Sequence, residues 1–236
     1  ERPCDLFTFD SFWPETREKW VKQGAPKEIL PAYGERRTSR FLRDYFQFGF
    51  DYFRSVQTGV GSHIDHEPSG LGYGIEYRQI TPIVPNYEPR IISEDERTIT
   101  YISGDGQTMR SLKDAAFRMP TYLDWPVKDR ASWNEYKKRL DPNTPERWPA
   151  DWNAHVQETN KLGEEIPISL DVGSFYGYLR EWVGSEKILY MFYDNPNLIE
   201  DMMEQILYLE TEVIKRVVKD IRVDLATFWE DMAYKG

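Results

Sequence analysis

The sequence predicts an α/β protein, a (β/α)8 TIM barrel that is incomplete in this chain and carries an inserted β-meander. Three observations predict it. Short apolar runs at 4–9, 166–172 and 224–229 have the length of buried strands, and each ends in polar or aromatic residues. Amphipathic helical stretches separate the later runs, and the order strand, helix, strand calls for parallel pairing with right-handed crossovers. Between about 34 and 126 the period drops to two and glycines and prolines recur, which marks hairpins rather than barrel units.

The elements follow in chain order. After the strand at 4–9 comes the loop Asp10-Ser11-Phe12-Trp13, then a helix opened by Pro14 at its first position, favoured by Glu15 near its positive end, and closed by Gly24. Period-two stretches at 90–93, 98–102 and 108–112 are separated by Glu94-Asp95-Glu96 and Gly104-Asp105-Gly106, the pattern of a meander. Asp129 caps a helix with Trp133, Tyr136 and Leu140 on one face, and Asp151 caps another that ends at Gly163. Gly173 to Gly177 reads as the loop after the strand at 166–172, and a short helix starts near Ser185. The clearest helix has Asn195 at its cap, Pro196 at its first position, and Leu198, Met202, Ile206, Leu209, Val213, Val217 and Ile221 at three- to four-residue spacing.

With 236 residues, 40% hydrophobic and 15% aromatic, the chain is read as one domain, 1–236, with 34–126 as its elaboration. Acidic residues outnumber basic ones 40 to 30, so the net charge of −10 repels a phosphate backbone and excludes nucleic acid as the expected partner. No apolar run approaches the roughly 20 residues that cross a bilayer, and no charged-then-apolar leader precedes Cys4. The single cysteine excludes an internal disulfide framework. The expectation is a soluble, cytoplasmic protein without a membrane partner. Glu1-Arg2-Pro3 supplies no initiator Met, and the strand count falls short of eight, so further residues are expected on both sides.

In a barrel the active site forms at the C-terminal ends of the strands. That places Glu230, Asp231 and Asp10 as candidate catalytic carboxylates, Glu230 first, and Asp171 beside them as a ligand-binding carboxylate. Phe12, Trp13, Phe175, Tyr176, Trp229 and Tyr234 occupy the same strand ends and would make a flat lining for a planar or macrocyclic ligand. The bland alternative is that the carboxylates cap helices or pair with a lysine such as Lys235, and that the aromatics are core. His63-Ile64-Asp65-His66-Glu67 holds metal-ligand residue types, but the glycines around it favour a mobile polar loop, and no metal site is assigned. No phosphate-binding glycine loop is present.

The segment 166–175, Asp194-Asn195-Pro196, the long helix and 224–231 resemble the central β/α units of the uroporphyrinogen decarboxylase superfamily. That superfamily includes cobalamin-dependent methyltransferases acting on thiols, and the stretch leading to 124–130 resembles a poorly characterised branch of it. The resemblance implies corrinoid-linked methyl transfer, a tetrapyrrole or corrinoid ligand, a corrinoid protein as partner, and zinc ligands beyond Gly236. Two alternatives stay open: decarboxylation of uroporphyrinogen or a related carboxylated ligand, and a non-catalytic module that binds a corrinoid protein. Family decarboxylases carry an arginine-rich stretch after the first strand to grip carboxylates. Here Asp10-Ser11-Phe12-Trp13-Pro14-Glu15 stands in its place, and Arg180 or Glu181 falls near the family's tyrosine, which disfavours decarboxylation of uroporphyrinogen itself.

Overall fold

A computed structural model describes residues 14–30, 54–56, 63–66, 77–80, 82–113, 120–164, 167–228 and 230. The chain divides into two compact units, Glu1–Phe53 and Arg54–Gly236. In the first, α1 (Pro14–Lys22) starts at its proline, with Glu15 in its first turn and Lys19 and Lys22 in its last, so both ends complement the helix dipole. Gly24 lies just past its end at φ +104°, a conformation that favours glycine.

The second unit is mixed α/β. Its strands are β1 (Arg54–Val56), β2 (His63–His66), β3 (Tyr77–Ile80), β4 (Arg90–Glu94), β5 (Thr98–Ile102), β6 (Thr108–Leu112), β7 (Thr121–Asp124), β8 (Ile168–Asp171) and β9 (Leu225–Thr227). Strands β4 to β7 form the expected meander, a four-stranded antiparallel sheet in sequence order. Asp95 builds the first turn by accepting from the backbone N–H groups of Arg97 and Thr98 at 2.8 and 2.7 Å. Alternation then puts Ile99 and Tyr101 on one face, where they bury with Met109. The His63–His66 run, expected as a mobile polar loop, is instead a strand, paired antiparallel with β3 from His63↔Ile80 to His66↔Tyr77. Backbone hydrogen bonding makes this pairing, and it needs no apolar alternation in the sequence.

Strands β8 and β9 pair in parallel, Ser169↔Leu225 to Asp171↔Thr227, as their helical connection requires. On the other edge of β8 lies β1, also parallel, Arg54↔Ile168 to Val56↔Leu170. Thus a piece of the stretch expected as pure elaboration joins the parallel sheet. The described residues form no closed barrel; the parallel sheet has the order β1-β8-β9.

Helices α2 (Arg130–Lys137) and α3 (Trp152–Leu162) begin where their caps predict. Asp129 and Ser132 form a reciprocal capping box, and Asp151 Oδ1 accepts from Ala154 N at 2.9 Å. Helix α4 (Tyr176–Val183) corrects the sequence reading, which left Tyr176 and Gly177 in a loop. It is short and contains a glycine, so propensity hides it; burial of Tyr178, Leu179, Trp182 and Val183 holds it in place. Helices α5 (Ser185–Asp194) and α6 (Pro196–Asp220) follow. Asn195 precedes α6 as expected, but its side chain makes no capping hydrogen bond.

The main core joins Ile168 and Leu170 of β8 to Leu198, Met202, Ile206, Leu209, Val213 and Val217 of α6. Each such burial contributes about 1.5–3 kcal/mol. Trp182 stacks on Tyr178 at 5.7 Å and on Trp133 at 5.7 Å, locking α4 against α2. Among the described residues no helix is long and apolar enough to cross a membrane.

Candidate functional site

Three carboxylates gather where β8 ends. Asp171 is the last residue of the strand, and its Oδ1 accepts from Gly173 N at 3.0 Å. Gly173 then turns at φ +76°, a left-handed conformation that an L side chain rarely adopts. The turn also needs the space: a Cβ there would fall 2.6 Å from both Glu210 Oε1 and the Tyr178 hydroxyl.

Glu230, 55 residues beyond Phe175, reaches this loop from the far side of β9. Its Oε1 accepts from Ser174 Oγ at 2.8 Å, Phe175 N at 2.7 Å and Tyr176 N at 3.0 Å. Ser174 Oγ in turn accepts from Gly177 N at 2.8 Å. The first turn of α4 is therefore satisfied by a serine from its own loop and a carboxylate from the next strand, where a negative group suits the helix dipole. Glu230 sits at the expected strand end, and this oxygen is occupied as a helix cap.

Glu210 lies on the apolar stripe of α6, four residues after Ile206 and three before Val213. It is 5% exposed, and its Oε1 has no hydrogen-bond partner among the described residues. Burial, with the charges of Asp171 and Glu230 added, pushes its carboxyl up to about 9. Asp171 is pushed up to about 6 by burial, against the Gly173 hydrogen bond that lowers it. The two shifts are consistent: Glu210 is still neutral when Asp171 titrates, so it adds no charge to oppose Asp171. At neutral pH the pair holds one proton, on Glu210, with Asp171 ionised and able to titrate just below neutrality.

Of the aromatic candidates, Phe175 packs on Phe228 with ring centroids 5.6 Å apart, and Tyr176 stacks on Phe192 at 6.4 Å. Phe175 and Phe192 share one wall of an open groove along the first half of α6. Asp10, Phe12, Trp13, Trp229, Asp231 and Tyr234 lie outside the described residues. Sequence reasoning missed Glu210, Ser174, Phe192 and Phe228. Glu210 had a signal, a carboxylate on an otherwise apolar helical stripe; Ser174 lay in the expected loop after the strand, and Phe228 is brought to the site by the β8–β9 pairing.

The resemblance puts the zinc ligands beyond Gly236, so the described residues do not bear on them. Among the described residues no three His, Cys, Asp or Glu side chains are placed to hold a metal ion, and a protonated Glu210 is a poor ligand. No family model matches the chain, and neither a curated protein nor a solved structure matches it.

Proposed function

We propose that this chain belongs to a parallel β/α barrel enzyme of the uroporphyrinogen decarboxylase type that transfers a methyl group between a corrinoid substrate and a thiol. Asp171 is its acid–base residue, and Glu210 the buried acid beside it. The observation that carries the acid–base part is the pair itself: a carboxyl at the end of β8 and a buried carboxyl on α6, held near 6 and near 9. Perturbed carboxyls of this kind are how acid–base sites work at neutral pH. The methyl-transfer part rests on the resemblance of 166–175 and 224–231.

Transfer of a methyl group to a thiol releases one proton. An ionised Asp171 at the end of β8 accepts it, and the loop held by Glu230 fixes Phe175 and Tyr176 beside the reacting groups. The test follows the methyl–cobalt absorbance of methylcobalamin mixed with the protein and a thiol. Absorbance is expected to fall, more slowly below pH 6, where Asp171 is protonated. No change with any thiol would retire the reading.

Decarboxylation is the second reading, favoured by one observation: a carboxyl still protonated at pH 7, as Glu210 is, can protonate the carbanion that loss of CO2 leaves. Mass spectrometry of uroporphyrinogen and simpler carboxylated ligands, looking for stepwise loss of carboxyl groups, tests it.

A further inference from the structure

The geometry points to a binding site for an organic cation with an apolar body, a quaternary or protonated amine, in the open groove that α5, α6 and the Phe175 loop line. The groove has a volume of about 430 Å³, the size of a small-molecule site. Phe175, Phe192, Met203 and Leu207 supply its apolar wall, and the charged residues lining it are Glu200 and Glu204. Phe192 and Leu207 are exposed, 39% and 54%, although both are large and apolar. A wall of rings and aliphatic side chains asks for an apolar ligand.

The charges define its sign. Glu200 and Glu204 lie one helical turn apart, and neither makes an ion pair among the described residues, whereas their neighbour Asp201 is paired with Arg130 and Lys137. Like charges at this spacing repel, and a bound cation relieves the repulsion. Aromatic rings attract cations through the ring quadrupole, and Phe175 and Phe192 line the same space as the carboxylates. Neutral apolar ligands would gain from the wall alone; anions would be repelled by the glutamates and by a net charge of −10.

This inference does not depend on methyl transfer, and its test needs no corrinoid or thiol. Benzyltrimethylammonium and its uncharged carbon isostere neopentylbenzene are compared by ligand-observed NMR against the 236-residue chain. The cation is expected to bind, and the isostere to bind at least tenfold more weakly. Binding of the cation is expected to weaken on raising the salt concentration. The Glu200→Gln, Glu204→Gln double variant, both positions being exposed, is expected to lose tenfold or more. Phe192→Leu, which keeps apolar area but removes the π face, is expected to weaken binding roughly threefold to tenfold. Equal binding of cation and isostere would overturn the inference, as would indifference to the double substitution or no binding at all. Concentration-dependent self-association in sedimentation equilibrium that Leu207→Glu abolishes would also overturn it, because a second copy would then be the occupant.

Discussion

Replacing Glu210 by Gln isolates the energetic consequence of burying an acid under the β8 loop. Glu210 titrates near 9 in the folded chain, against an ordinary value of 4.5. A carboxyl raised in the folded state binds its proton more tightly there, so its full contribution is present below pH 4.5 and is lost progressively as pH rises toward 9. Each unit of difference is worth about 1.36 kcal/mol, so the cost reaches about 3 kcal/mol at pH 7 and about 5 kcal/mol at pH 8, as upper limits before the protein relaxes. Glutamine is nearly isosteric with the protonated acid and cannot ionise. The variant is therefore expected to match the parent near pH 5 and to exceed it in stability by several kcal/mol at pH 8. Urea denaturation of both proteins at pH 5, 6, 7 and 8 measures this. The shift of Asp171 is present in both and cancels in the difference. If the two proteins differ by the same amount at every pH, Glu210 is not a buried acid and the acid–base reading of the site fails with it.

Gly173→Ala must place a Cβ 2.6 Å from Glu210 Oε1 and from the Tyr178 hydroxyl at positive φ. The left-handed backbone costs about 1–2 kcal/mol and overpacking about 1–3 kcal/mol more, so urea unfolding should show a loss of about 2–5 kcal/mol. Glu230→Ala strips the acceptor shared by Ser174, Phe175 and Tyr176; a loss of about 1.5–3 kcal/mol is expected. Amide exchange should rise at Phe175 and Tyr176 first, and Glu230→Gln should restore part of the protection. In the methylcobalamin assay, Asp171→Asn should lower the rate by about 10²–10⁴ and remove the inflection near pH 6; an unchanged pH profile would assign the proton to another group. Asp201→Asn weakens its ion pairs with Arg130 and Lys137 while still accepting from Trp133 Nε1, and thermal unfolding should show a loss of about 1 kcal/mol or less, these groups being partly exposed.

Residues acting on their own neighbours were legible in the sequence. Asp129 and Asp151 cap helices because a side chain needs only the N–H two or three positions on, and Pro196 starts α6 because its fixed φ suits a first turn. The stripe from Leu198 to Val217 and the alternation in β5 and β6 announce their elements by period alone. What the tertiary structure decided is every pairing between distant segments. Arg54–Val56 has no period to mark it and becomes a parallel strand only because β8 offers an edge. Gly177 lowers the propensity of α4, and packing of Trp182 among Trp133, Tyr136 and Tyr178 overrides it. Glu230 stood out as a strand-end carboxylate, yet its three donors lie 54 to 56 residues away, and only the parallel register of β8 with β9 brings them within reach. Glu210 could be seen on an apolar face, but its protonation depends on the dielectric and charges around it, which no local pattern encodes.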